Sequence, residues 1–135
     1  MAETSLAKRL GIKPAQRVLL LEPPEGIIAL LGELPTGADY IHAGDGRADV
    51  VVAFAQTRAE LAAIAPRALD AVQVGGYLWF AYPKLTAQLA GELKREVVWE
   101  VVSAAIDQRP VTQVAIDDTW SALRFRPASE VKARD

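Results

Sequence analysis

The 135-residue sequence has no cysteine and a single histidine, His42. The first absence excludes disulfides, thiolate catalysis and cysteine metal sites. The second excludes a multi-histidine metal centre, and no metal site is expected. Long apolar runs are missing too: nothing approaches the ~20 residues of a membrane span. The opening MAETSLAKRLG lacks the apolar stretch of a secretory signal, so the expected location is cytoplasmic, away from membranes. Excess charge of one sign is also absent. Fifteen Lys and Arg stand against seventeen Asp and Glu, a formal net charge of −2. That gives no broad basic field for nucleic acid or an anionic membrane. What is present is ordinary for a globular chain, 51% apolar and 24% charged. The length suits a single domain over residues 1–135, with the polar residues 128–135 expected as a mobile tail.

Residues 48–83 organise the chain. They read ADVVVAFAQTRAELAAIAPRALDAVQVGGYLWFAYP. An apolar run, a helical stretch, a Gly-Gly turn and a second apolar run form a β-α-β unit. Thr57 and Glu60 fit a capping box, in which hydroxyl and carboxylate each accept from a free backbone N–H. Pro66 falls inside the helical pattern and predicts a kink or two short helices. Upstream, Ser5 or Thr4 caps a short helix that Gly11 ends. Pro14 and Ala15 make a turn, expected as type I because Ala15 disfavours the positive φ of type II. Residues 17–22, RVLLLE, read as a strand covered on both faces. Pro24 opens a short helix that runs to Leu31, and residues 39–42 form a brief strand.

Downstream, Leu85, Leu89, Leu93, Val97, Val101 and Ala105 step by four along a long amphipathic helical region, with a possible break near Gly91. Residues 111–116 and 120–125 flank Asp117-Asp118-Thr119 as a β-hairpin. Alternating strands and helices imply a three-layer α/β/α sandwich with a mostly parallel sheet. The C-terminal hairpin contributes an antiparallel strand.

The segments Leu10-Gly11-Ile12-Lys13-Pro14 into Arg17-Val18-Leu19-Leu20-Leu21, Ala48-Asp49-Val50-Val51-Val52, and Ala71-Val72-Gln73-Val74-Gly75-Gly76-Tyr77-Leu78 carry a resemblance. The pattern is similar to the Rossmann-like fold of class I S-adenosylmethionine-dependent methyltransferases, shortened between the second strand and Asp49. Together with Val97-Val98-Trp99-Glu100 and residues 117–124, it also resembles small bacterial domain-of-unknown-function proteins of that layout. The resemblance implies a glycine-rich cofactor loop after the first strand and an acidic residue ending the second. Here the loop reads Glu22-Pro23-Pro24-Glu25-Gly26 and the second strand ends at Tyr40-Ile41-His42, with Asp45 three residues on. Two prolines withhold two N–H donors, and only Gly26 permits close backbone approach.

Ligands of open α/β sheets bind beyond the carboxyl ends of strands, where strand order reverses. The cofactor-binding candidates there are Glu22, Pro24, Gly26, Gln56 and Thr57, with His42, Asp45, Tyr82 and Lys84 as the rim. Simpler roles compete for each. Glu22 and Glu25 suit a helix start as solvated carboxylates. Thr57 has its cap, and His42 lacks a nucleophile or an orienting partner. Tyr82-Pro83-Lys84 is a strand end with a proline stop, and Asp117 and Asp118 are turn formers. No catalytic residue stands out. Arg124 and Arg126 alternate on the last strand, too few for nucleic acid. Trp99, if exposed on its helix, would mark a homodimer surface.

Because the cofactor loop departs from the family pattern, no cofactor is expected. The leading expectation is a non-catalytic or degenerate methyltransferase-like binding or regulatory module. The alternatives are a methyltransferase that holds S-adenosylmethionine in an atypical loop, and another small-molecule or nucleotide binder using the same crevice.

Overall fold

The computed structural model describes residues 5–84 and 93–127. Six strands form one sheet: β1 (Arg17–Leu21), β2 (Asp39–Ile41), β3 (Ala48–Phe54), β4 (Val72–Pro83), β5 (Gln108–Ala115) and β6 (Trp120–Pro127), in the order β2-β1-β3-β4-β6-β5. The pairs β1–β2, β1–β3 and β3–β4 are parallel, whereas β6 is antiparallel to both β4 and β5. Only β6 therefore runs against the sheet. Among the described residues four helices cover it: α1 (Leu6–Arg9), α2 (Ile27–Leu31), α3 (Arg58–Ala71) and α4 (Arg95–Ala105).

Alternate residues of each strand point to opposite faces, and both faces are buried. Leu19, Leu21, Val51, Ala53, Leu78, Phe80, Leu123 and Phe125 pack against Leu61, Ile64, Ala65 and Ala68 of α3 and Val98 and Val102 of α4. Val18, Val50, Val52, Phe54, Trp79 and Ala122 pack against Leu6 of α1, Leu10 that caps its end, and Ile27 and Leu31 of α2. This is why β1 and β3 read as unbroken apolar runs. At the outer edge, Pro110 and a register irregularity before Thr112 blunt β5.

Ser5 caps α1 by accepting from the Lys8 N–H, and Gly11 follows the helix at φ 86°. The edge of the Tyr77 ring abuts Gly11, where a Cβ would stand 2.1 Å from a ring carbon. The Trp79 indole N–H donates to the Leu10 carbonyl at 2.9 Å, tying α1 to the sheet. In β4 the pairing steps from Ala48–Val72 to Val50–Tyr77, so residues 73–76, with Gly75 at φ 79°, swing out of register.

Three local expectations change. The turn at Pro14–Ala15 places Ala15 at φ 64°, the left-handed value of a type II turn rather than type I. The Ala15 N–H donates to the Thr36 carbonyl at 2.9 Å, and that tertiary bond offsets the local steric cost. Helix α3 runs unbroken through Pro66, as one helix rather than two. Its buried stripe of Leu61, Ile64, Ala65 and Ala68 holds the helix together across the lost hydrogen bond. Helix α2 begins after Gly26 rather than at Pro24.

The predicted helix over residues 85–92 and the tail at 128–135 lie outside the described residues. No helix among the described residues is long and apolar enough to cross a membrane. Trp99 stands 50% exposed on α4, beside the buried Val97 and Val98.

Candidate functional site

Strand order reverses at β1, which has β2 on one side and β3 on the other. The chain leaves β1 through α2 on one face, and leaves β3 through α3 on the opposite face. A crevice opens where the two connections part beyond the carboxyl ends of β1 and β3. It encloses about 450 Å³, within the range of small-molecule sites.

One wall is the loop that follows β1. Glu22 sits at φ 52°, in the left-handed region unusual for a residue with a side chain. That conformation turns the chain sharply out of the strand, so that Pro23 and Pro24 line the crevice instead of filling it. The second wall is the end of β3, where Phe54, Ala55 and Gln56 reach the cleft. Phe54 meets Trp120 of β6 edge to face, with ring centroids 5.4 Å apart. The third wall is one face of α3, contributing Glu60, Ala63, Ile64 and Arg67.

The capping interactions fix the α3 wall. The Thr57 hydroxyl accepts from the Glu60 N–H at 3.1 Å, and the Glu60 carboxylate accepts from the Gln56 N–H at 2.8 Å. Glu60 thus spans the corner between β3 and α3. Across the cleft, Arg67 Nη1 lies 3.7 Å from Glu22 Oε1. Both side chains are more than half exposed, so the pair contributes little to stability. It does set the charge of the cleft: two carboxylates and one guanidinium on otherwise apolar and proline walls.

The sequence candidates divide accordingly. Glu22, Pro24 and Gln56 come together on the cleft. Thr57 stands beside it as the α3 cap, and Gly26 lies past the rim at φ 86°, as the residue before α2. His42 and Asp45 form a separate surface turn after β2. The Asp45 carboxylate accepts from the His42 N–H at 2.9 Å and lies 3.6 Å from its imidazole, which is 94% exposed. The Asp45 carbonyl accepts from Arg17, drawing that turn towards the amino end of β1. Tyr82 points into the core beneath α4, and its hydroxyl accepts from Gln113 at 3.1 Å. Burial pushes its phenol above the ordinary range, with Arg95 opposing and Glu96 adding to the shift. The Lys84 N–H donates to Thr119 at the hairpin end.

Sequence reasoning missed Phe54, Glu60, Ala63, Ile64, Arg67 and Trp120 as cleft residues. The helix face of Glu60, Ala63, Ile64 and Arg67 was available from their spacing of three and four. Trp120 was not, because only the pairing of β6 with β4 brings it beside Phe54. Among the described residues no group of three or more acidic or histidine side chains is placed to hold a metal ion.

No family model matches the chain, and no curated protein matches it. Solved structures do match. One is a ribosomal protein L11 methylase from Lactobacillus delbrueckii subsp. bulgaricus, with a TM-score of 0.60 at 16% identity, covering 89% of this chain and 73% of that one. Another is the DhpI–SAH complex, with a TM-score of 0.57 at 14% identity, covering 91% of this chain and 82% of that one. At such identities the likeness is one of fold. The chain has a shortened class I methyltransferase-like fold, with a mostly parallel sheet closed by an antiparallel strand.

Proposed function

We propose that the protein binds S-adenosylmethionine in the cleft beyond β1 and β3 and uses it for methyl transfer. The observation that carries this reading is the open cleft at the switch point of a methyltransferase-like sheet. The expectation of a non-catalytic module rested on the missing glycine-rich loop, on a second strand that does not end in an acidic residue and on the shortened layout. Pro23 and Pro24 nevertheless line an open cleft instead of filling it.

The residues present fit the group. Ile64 and Trp120 give an apolar wall for a flat heterocycle, and the Glu22 carboxylate can accept from sugar hydroxyls. Glu22 and Glu60 outnumber Arg67, which suits a cationic ligand. When bound, S-adenosylmethionine supplies an electrophilic methyl group on a sulfonium. The two prolines withhold backbone donors, so side chains take over the holding that a glycine loop performs in the family. Glu22 also stores backbone strain at the ligand-facing end of β1, a place where such strain clusters.

Calorimetry with S-adenosylmethionine and its demethylated product tests the reading. Saturable heat is expected below about 1 mM. It should vanish in Ala63→Trp, which fills the cleft from an exposed helix position. No heat, or heat that survives Ala63→Trp, would remove this cleft as the site.

A further inference from the structure

We propose that a second cleft, at the amino end of β4, binds a small phosphate-bearing anion. This inference is independent of what occupies the carboxyl-end cleft. The second cleft encloses about 570 Å³ and gathers residues far apart in the chain. Arg47 comes from the loop before β3, Asp70 from the last turn of α3, and Arg124 and Arg126 from β6. Three arginines and one aspartate line it, in a protein whose net charge is negative.

Arg124 is the most constrained of the three. Its guanidinium stacks on the Tyr77 ring, 3.8 Å from the centroid. Tyr77 is itself held against Gly11. Stacking fixes the guanidinium plane and leaves its donors to act in that plane. The Nε atom is shut off from solvent and has no acceptor among the described residues. Arg126 follows two positions on and so leaves the same face of β6. It pairs with Arg109 of β5, which adds to the positive potential at this end of the sheet.

The backbone leaves the mouth clear. Residues 73–76 swing out of register with β3, and a Cβ at Gly75 would meet nothing within 4 Å. Guanidinium forks match phosphate oxygens in pairs, and Arg47 and Arg124 are the groups that would offer them. The concave shape, the small volume and the intruding Asp70 favour a compact ligand over a nucleic-acid strand, which needs a longer basic stripe.

Pyrophosphate is the probe, followed by amide NMR and calorimetry on the full chain. Saturable shifts are expected at Gly75 and Gly76 and at the Arg124 Nε–H. Arg47→Ala removes an exposed side chain and should weaken binding roughly tenfold. Arg124→Lys keeps the charge but loses the stacked fork, with a similar loss. Asp70→Asn should tighten binding, which a purely structural Asp70 would not do. Thermal melting checks that each variant is folded; if Arg124→Lys is not, Arg47→Ala and Asp70→Asn carry the decision. The proposal is overturned by any of three results. These are no saturation at roughly millimolar pyrophosphate, affinities unchanged in Arg47→Ala and Asp70→Asn, or a single-stranded RNA oligomer binding more tightly than pyrophosphate.

Discussion

At the carboxyl ends of β1 and β3 the cleft is walled by two prolines, an aromatic pair and a helix face, with two carboxylates against one guanidinium. At the amino end of β4 three arginines and one aspartate line a cleft beside a glycine-bearing bulge. The first cleft follows from topology. Any sheet with this strand order opens a crevice where its connections part, whatever residues line it. The second has no such origin. It exists because β6 returns antiparallel beside β4 and brings Arg124 and Arg126 to the amino end of that strand. A shared fold therefore explains where the first cleft is, and only this chain's own side chains explain the second.

Substitutions can separate the two ends. The largest effect is expected from Trp120→Ala. Trp120 is buried against Phe54, and its truncation should cost about 3–5 kcal/mol in denaturant unfolding. The carboxyl-end cleft loses its aromatic wall, while pyrophosphate binding by the folded protein should persist. If both ligands are lost together, the ends are not distinct sites. Next comes Gly11→Ala, which drives a Cβ into Tyr77 at a left-handed position. The strain should cost about 2–4 kcal/mol. Here the asymmetry reverses: Tyr77 moves, Arg124 loses its stacking partner, and anion affinity falls while S-adenosylmethionine binding holds.

The smallest effect belongs to Tyr82, which lines neither cleft. Its phenol is raised by burial, so the folded state keeps the proton that the unfolded state releases near pH 10. The stability linked to that proton is whole below about pH 10 and is lost as the pH rises through the raised folded value. Tyr82→Phe should flatten this alkaline loss and cost about 1 kcal/mol at neutral pH through the Gln113 bond. Alkaline melting curves of the two proteins provide the check. A variant as alkali-sensitive as the wild type would place the titration elsewhere.

Much of the sheet was legible before the structure. The runs RVLLL and ADVVVAF announced strands buried on both faces, and Thr57 with Glu60 announced the start of α3. The misread features share a cause. Ala15 adopts a left-handed turn because a carbonyl 21 residues later in the chain, that of Thr36, takes its N–H. Pro66 sits inside an unbroken helix because the sheet beneath supplies packing that a local rule does not count. Gly26 was assigned to the cleft for its freedom of approach, but that freedom is spent entering α2. The candidate sites fared similarly. Glu22 and Gln56 were legible because they end strands, whereas Trp120 and Arg47 reach their clefts only through strand pairing and loop return.

Helix α3 touches both clefts. Arg67 lines the carboxyl-end cleft and Asp70 the amino-end one, three residues apart along the same helix. The stretch of α3 between them is about one helical turn, some 5 Å of rise. It carries a cation on one side and an anion on the other, each opposite in sign to the charge that prevails in its own chamber. Occupants at the two ends of the sheet would therefore each meet the same helix, one at Arg67 and the other at Asp70.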